Sequence, residues 1–196
     1  MLMTEFIHEL CSQLREVYGI TVTRSSIVDL DSSTIKKFSR HLIVHLPYGE
    51  LFADAQSAGS FAKQFVSRLA DELASGVLVG RRPTLARNLF VNTKPSKAQQ
   101  VDTPSEGSGL NHDKDPLKTT CFVDLGVYTR NRLFRLLGSS KHGKPAAAAL
   151  RIAGTNEFEF PPGFGNSNFY VPALAQATTS ISTVRMQFAT VNNNLV

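Results

Sequence analysis

Ser39 and His41 are the residues whose types and spacing first suggest chemistry. They lie in Lys37-Phe38-Ser39-Arg40-His41, where an apolar run predicts a strand over 38–46. Side chains alternate between the two faces of a strand, so Ser39 and His41 project together, about 6–7 Å apart. With Lys37 they offer hydrogen-bond donors to phosphate oxygens, although an ordinary polar strand face has the same composition. A serine-hydrolase nucleophile is disfavoured, because no glycine flanks Ser39 to form the required sharp turn.

Asp124 is the second candidate for chemistry. It is a carboxylate inside the apolar segment 121–128, which predicts a strand. Burying a carboxylate is costly unless it is ion-paired or holds a cation. Two interpretations therefore stay open: a metal ligand that faces a phosphate site, or a buried salt bridge to Arg130 or Arg135.

The basic residues are unevenly distributed along the chain. The formal net charge is +5, and residues 125–156 contain no Asp or Glu. The basic residues of that window are Arg130, Arg132, Arg135, Lys141, Lys144 and Arg151. Such a one-sided stretch gives a positive potential suited to phosphates, and a solvated basic face is the plainer alternative.

Two amphipathic helices are predicted, over 4–18 and 57–74, because apolar residues recur there every three or four positions. Thr4 is the candidate N-cap of the first helix, and Gly19 is placed to end it. Ser57 or Ser60 is expected to cap the second helix. Further strands are predicted over 20–30, 121–128 and 133–137, and 146–152 forms a strand or a helix.

The chain is long enough for one domain, which we place at 1–152. Residues 93–119 hold Pro, Ser and charged residues with almost nothing to bury, so they predict a disordered insertion. Residues 153–196 form a tail of uncertain structure. No apolar run approaches the roughly 20 residues that span a bilayer, so no membrane association is expected. Cys11 and Cys121 lack zinc-ligand spacing and are predicted to be buried free thiols.

Several blocks resemble the eukaryotic primase-polymerase (PrimPol) family of the archaeo-eukaryotic primase superfamily. They are the segments 31–34, 37–43, 122–132 and 134–141, and the resemblance extends over about 2–151. It implies an α+β fold with a partial primase core, in which helices flank an antiparallel or mixed, RRM-like sheet.

The resemblance also implies roles for individual residues. The incoming triphosphate would be bound by Lys37, Ser39, His41, Arg135 and Lys141. Asp124 would be a catalytic carboxylate that binds a divalent metal, Mn²⁺ or Mg²⁺, and two such ions would act in the reaction. Arg130 and Arg132 would contact nucleic acid.

The implied activity is that of a DNA-directed primase and DNA polymerase, a nucleotidyltransferase that makes and extends primers and tolerates damage at replication forks. Its partners would be a DNA template-primer and dNTP or NTP. A monomer in the nucleus and the mitochondrion is expected, on the resemblance alone.

This sequence also departs from the family. The first motif, an Asp-x-Glu pair before the first helix, is missing, as is the zinc-knuckle module, so we expect a fragment that is inactive in isolation and has no zinc site. Asp29-Leu30-Asp31 has two carboxylates at the same spacing as that Asp-x-Glu pair, but it matches an ordinary loop of the family. The alternative is a non-catalytic nucleic-acid-binding module, whose DNA binding would weaken with salt and survive Asp124→Asn.

Overall fold

The computed structural model describes residues 1–93, 118–129, 134–160 and 184–188, with the backbone alone for residues 93, 118 and 184–188. The helices are α1 (Leu2–Tyr18), α2 (Ala55–Ala74), α3 (Val77–Arg81) and α4 (Pro83–Asn88). The strands are β1 (Ile27–Asp31), β2 (Arg40–Val44), β3 (Phe90–Thr93), β4 (Lys118–Cys121), β5 (Val123–Asp124), β6 (Arg151–Ile152) and β7 (Val184–Phe188). The predicted α+β fold is confirmed. None of the described helices has the length and apolar character that crossing a membrane requires.

The first predicted helix is confirmed, with an earlier start. Phe6, Leu10 and Leu14 lie on one face of α1 and are fully buried, as their spacing predicts. Gly19 adopts the left-handed conformation (φ 70°) and ends the helix, also as predicted. Thr4 is not the N-cap: α1 begins at Leu2, and no side chain caps it.

The second predicted helix is confirmed, but its N-cap was wrongly assigned. Helix α2 begins at Ala55 because the Asp54 carboxylate accepts a hydrogen bond from the backbone N–H of Ser57. Neither Ser57 nor Ser60 is the cap. The buried side chains of Phe61, Phe65 and Leu69 follow the predicted spacing.

An antiparallel sheet in the order β5-β7-β2-β1-β6 forms the second layer. Strand β1 is shorter than the predicted 20–30 because a 3-10 helix occupies Arg24–Ser26, and β2 is shorter than the predicted 38–46. One face, called the helix face, carries Ile27, Leu42 and Val44 and packs against the helices. The opposite face carries Val28, Leu30 and Ile43 and is covered by Leu137, Leu150 and partly buried Phe158 and Phe160.

Several predicted strands need correction. The predicted strand 121–128 is broken: β4 ends at Cys121, β5 has two residues, and a 3-10 helix occupies Leu125–Tyr128. The described residues 134–137 form no strand, and the segment 146–152 divides into a 3-10 helix, Ala146–Ala148, and β6. These elements are too short for periodicity to indicate their type.

The boundaries of the predicted insertion also change. Strands β3 and β4 pair at Thr93 and Lys118, so regular structure includes the first residue and the last two residues of the segment 93–119. The remaining residues, 94–117, lie outside the described residues. In the predicted tail, β7 pairs with both β2 and β5, so part of that segment belongs to the central sheet.

The two cysteines are free, as predicted, but both are only half-buried. Burial raises the pKa of the Cys11 thiol and that of the Cys121 thiol. A raised pKa lowers the thiolate fraction, so these thiols are poor nucleophiles.

Candidate functional site

The β1–β2 hairpin places Ser39 and His41 on one face of the sheet. Leu30 pairs with His41, and the backbone N–H of Ser32 donates to the carbonyl oxygen of Ser39 at 2.9 Å. Residues paired across strands share a face, so Ser32, Ser39 and His41 project together, opposite to the helix face. Phe38 packs against the helical core from the other side. The predicted alternation is therefore confirmed.

Four polar side chains meet on that face. The Ser32 hydroxyl donates to Ser39 Oγ at 2.9 Å and accepts from Arg135 Nη2 at 2.8 Å. The same Nη2 lies 3.2 Å from His41 Nε2, and Arg135 Nη1 donates to the carbonyl oxygen of Ala148. Ser32, Ser39 and His41 are all buried, whereas Arg135 is partly buried. The guanidinium is thus fixed on two sides by a serine, a histidine and a backbone carbonyl.

A cavity of about 920 Å³ opens beside this group, between the tip of the hairpin and residues 135–151. We call it the basic cavity. Its basic lining residues are Lys36, Lys37, Arg135, Lys141, Lys144 and Arg151, and no acidic residue lines it among those that the structure describes. Ser32, Ser33, Thr34 and Ser39 add hydroxyl groups to the wall. The arrangement suits a ligand with several negatively charged oxygens.

The pKa of Lys37 shows the effect of the positive charges that surround the basic cavity. Its pKa is lowered, first by partial burial and then by the positive charges of Lys141, Arg135 and Lys144, while Asp124 opposes the shift. The cations are therefore close enough to repel one another. A bound polyanion would relieve that repulsion.

Asp124 stands at the end of β5, across β7 from the hairpin. Asp124 and His41 both pair with the backbone of Gln187, so the register aligns the two residues on one face of the sheet. The Asp124 carboxylate is partly exposed and accepts a hydrogen bond from the backbone N–H of Gly126 at 2.9 Å. Its position agrees with the electrostatic contact to Lys37.

Asp124 does not form a salt bridge with Arg135, which is the one of its two candidate partners that the structure describes. Arg135 bonds to Ser32, His41 and Ala148, and no ion pair joins it to Asp124. Arg130, the other candidate partner, lies outside the described residues. Within the described ranges no three His, Cys, Asp or Glu side chains come together as a metal site. Asp124 can thus offer one ligand, which is too few to hold a metal ion by itself.

Asp29 and Asp31 have structural partners instead of a catalytic arrangement. Asp29 is 1% exposed, and its carboxylate accepts from Arg40 Nε at 3.0 Å and from the Thr155 hydroxyl at 3.1 Å. Asp31 is ion-paired with Arg151 at 2.7 Å. Both carboxylates are already engaged, and the register places them on the face opposite to Ser39 and His41.

Comparisons with known proteins find relatives that share one name. The chain is 35% identical over 159 residues to the DNA-directed primase/polymerase protein of Danio rerio. The matched region covers 81% of this chain and 29% of that protein. It is 32% identical to the protein of the same name from Mus musculus over 169 residues, 81% of this chain and 31% of that protein. The human counterpart is 31% identical over 185 residues, 79% of this chain and 32% of that protein.

The chain is a homologue of these DNA-directed primase/polymerase proteins. It spans 29% to 32% of the length of these curated relatives. No protein-family model matches it.

The structure brings most of the predicted site residues of this primase/polymerase homologue together. Lys37, Ser39, Arg135 and Lys141 line the basic cavity, and His41 is linked to it through Arg135. Arg130 and Arg132 lie outside the described residues. The lining residues that sequence reasoning did not assign to the site are Ser32, Ser33, Thr34, Ile35, Lys36, Lys144, Pro145, Ala147, Ala148 and Arg151. The acid-free window of the sequence signalled Lys144 and Arg151, whereas Ser32 could be found only from the register of the hairpin.

Gly59 permits the close packing that supports Asp124. Tyr128, in the 3-10 helix after Asp124, packs directly on α2, and burial together with the Asp124 charge raises the pKa of its phenol. A Cβ at Gly59 would lie 2.7 Å from the Cβ of Tyr128, an atom too close to the backbone to swing away. The glycine is therefore required by contact between the two elements.

Gly59→Ala is expected to lower the free energy of unfolding by about 1–3 kcal/mol, because the added methyl group overpacks this contact. This reverses the usual gain of about 0.5–1 kcal/mol for replacing a helical glycine by alanine. Gly80→Ala in α3, where nothing lies within 4 Å of the new methyl group, is the matched control and should show that gain. Urea denaturation measures both, and stabilisation by both substitutions would contradict the close contact.

Proposed function

We propose that the basic cavity binds the triphosphate of an incoming nucleotide for DNA-directed nucleotidyl transfer. The observation that carries this proposal is a cavity that, within the described part of the chain, is lined by six basic side chains and no acidic one, with the Ser39 hydroxyl in its wall. The relatives are named as DNA-directed primase/polymerase proteins, and such proteins use nucleoside triphosphates as substrates. The cavity supplies the chemistry that a triphosphate needs.

Each group has a role that follows from its chemistry. Arg135 offers a planar set of N–H donors that can bind two phosphate oxygens at once. Lys37 and Lys141 act as mobile point charges, and Ser39 donates one hydrogen bond from a fixed position. His41 Nε2 and Ser32 Oγ both contact Arg135 Nη2 and hold the guanidinium in place.

Asp124 is proposed to contribute one carboxylate to a divalent metal, Mn²⁺ or Mg²⁺, in the full-length enzyme. Nucleotidyl transfer generally requires such an ion to stabilise charge on the phosphate oxygens. The described residues do not assemble a complete ligand set around Asp124. The isolated chain is therefore expected to lack polymerase activity.

The activity of the whole protein is part of the same proposal. It would synthesise and extend primers on a DNA template, act as a monomer in the nucleus and the mitochondrion, and help replication to pass damage. Arg130 and Arg132 would contact the nucleic acid.

Binding of a nucleic-acid backbone is the second candidate function, because exposed Lys36 and Lys144 at the cavity rim could also meet phosphates of a strand. Competition separates the two functions. The chain is saturated with a fluorescent dNTP analogue and then titrated with unlabelled dNTP or with a single-stranded oligonucleotide. Displacement by dNTP supports the nucleotide site. Without metal, the same dNTP concentrations should occupy the wild-type chain and Asp124→Asn equally. Displacement by the oligonucleotide alone would show that the cavity serves nucleic acid instead.

Affinity for the triphosphate is expected to fall as the pH rises, and the fall should begin at a lower pH than it would for a lysine with an ordinary pKa. The protonated form of Lys37 attracts phosphate, and its lowered pKa means that it loses the proton at a lower pH. The expected loss is about 5-fold, since one pair of charges near 4 Å is worth roughly 1 kcal/mol in water. Fluorescence titrations between about pH 7 and pH 10, the range below the ordinary lysine pKa, measure it.

Lys37→Arg keeps its charge throughout that range and should flatten the pH profile. Lys36→Arg is the matched control at the neighbouring position, where no such change is expected. A wild-type profile that stays flat up to the ordinary lysine pKa would show that Lys37 does not bind the ligand.

A further inference from the structure

Ser32 occupies a position from which it can organise the donors of the basic cavity. It follows β1, is 5% exposed, and lines the cavity together with Ser39 and Arg135. Its hydroxyl makes two hydrogen bonds, to Ser39 Oγ at 2.9 Å and from Arg135 Nη2 at 2.8 Å. In the sequence it lies in the segment 31–34, which resembles the family, but no role in the site was assigned to it.

The chemistry of arginine fixes the direction of one of these bonds, and in the other the Ser32 hydroxyl is the donor. A guanidinium can only donate, so Ser32 Oγ must accept from Arg135. The single hydrogen of the Ser32 hydroxyl is then available for Ser39 Oγ, which becomes the acceptor. The hydrogen of Ser39 is therefore left to point elsewhere, and within the described part of the chain no other side chain bonds to that hydroxyl. Ser39 lines the cavity, so its hydrogen can be directed at a ligand there.

We propose that Ser32 is a positioning residue, which orients the Ser39 hydroxyl and the Arg135 guanidinium toward a phosphate group of the ligand in the basic cavity. This inference rests on the proposed function of the cavity. Ser32 need not touch the ligand: it removes the rotational freedom of one donor and holds the other at the correct edge. Donors that are already oriented bind an anion without the cost of ordering them.

The Ser33 hydroxyl provides a matched control in the same segment. Ser33 Oγ accepts from the backbone N–H of Ser39 at 3.0 Å, so this bond supports the backbone and does not involve Ser39 Oγ. Ser33 also lines the cavity. Loss of its hydroxyl therefore tests local structure without removing the proposed orientation.

The test compares triphosphate affinity and thermal unfolding in a double-mutant cycle. Ser32→Ala is expected to weaken binding about 3- to 10-fold, the value of one net hydrogen bond, with the protein still folded. In the Ser39→Ala background the same substitution should have a clearly smaller effect, because Ser32 acts partly through Ser39. Ser33→Ala should show no such coupling, and Ser32→Thr, which keeps a hydroxyl, should restore most of the affinity.

The possible outcomes are distinguishable. Unchanged affinity in Ser32→Ala, or fully additive effects with Ser39→Ala, would overturn the positioning role while the proposed cavity function stands. Failure of the wild-type chain to bind triphosphate would overturn both. If Ser32→Ala does not fold, Ser32→Cys replaces it, since a thiol fills similar space but is a weak hydrogen-bond donor, and the same loss and coupling are expected.

Discussion

Asp29→Asn is expected to lower the free energy of unfolding by about 3–5 kcal/mol, the usual cost of removing one partner from a buried ion pair. Asp29 is almost fully buried, and its carboxylate faces Arg40 and Arg24, whose side chains are 11% and 17% exposed. An amide would remove the ion-pair partner of Arg40 and would leave Arg24 with the exposed Glu157 as its counter-charge. The change would also weaken the link to Thr155, which joins the hairpin to the segment beyond β6. Urea denaturation followed by circular dichroism measures the loss.

Asp31→Asn is the control for that experiment. Asp31 lies two residues further along the chain and pairs with Arg151, but the Arg151 side chain is 49% exposed. Because this pair is open to water, its loss should lower the free energy of unfolding by no more than about 1 kcal/mol. Equal and small losses at both positions would contradict the structural role of Asp29, and would reopen the possibility that the Asp-x-Asp spacing serves a bound ligand.

Arg135→Ala is expected to weaken binding of a nucleoside triphosphate about 10- to 100-fold, because hydrogen bonds to charged groups are worth about 1.5–3 kcal/mol. Arg135 is the only cavity cation, among the described residues, that bonds to both Ser32 and His41. Its removal takes away a positive charge and also the partner that holds these two side chains. Isothermal calorimetry of the purified chain measures the change.

Arg151→Ala removes a cation from the same cavity and serves as the comparison. Arg151 is already neutralised by Asp31 and is half-exposed, so its loss should weaken binding by no more than about 3-fold. Comparable losses for the two variants would mean that only the total positive charge matters, and that the fixed geometry of Arg135 contributes nothing.

The periodic parts of the fold could be predicted from sequence. The faces of α1 and α2 follow directly from apolar residues three or four positions apart, and the two faces of β2 follow from alternation. These patterns are local, so the rest of the chain does not alter them. Their boundaries were less predictable, as Asp54 shows: several polar residues near a helix start can cap it, and tertiary contacts decide among them.

The composition of the site could be predicted only in part. Ser39 and Lys37 were found because they are near one another in sequence, and Arg135 and Lys141 because they fall in an acid-free window and match a family. Ser32 was missed because its role depends on the pairing register and on an arginine 103 positions away. The strand β7 was missed because its place between β2 and β5 depends on long-range pairing, which no local pattern indicates.

The local structure around Asp124 differs from the predicted one. The strand expected around this residue is a two-residue strand followed by a 3-10 helix. The turn arises because Asp124 caps that helix through the N–H of Gly126. Competition between a side-chain cap and a strand ladder is not visible in hydrophobic alternation.

A calorimetric titration at fixed ionic strength decides whether the basic cavity holds a triphosphate. The purified chain is titrated in turn with a deoxynucleoside and with its mono-, di- and triphosphate. We expect one site whose affinity rises with each added phosphate, and a loss in Arg135→Ala that is largest for the triphosphate and absent for the nucleoside. Equal affinity for nucleoside and triphosphate, or a triphosphate affinity that Arg135→Ala leaves unchanged, would contradict a triphosphate site in this cavity.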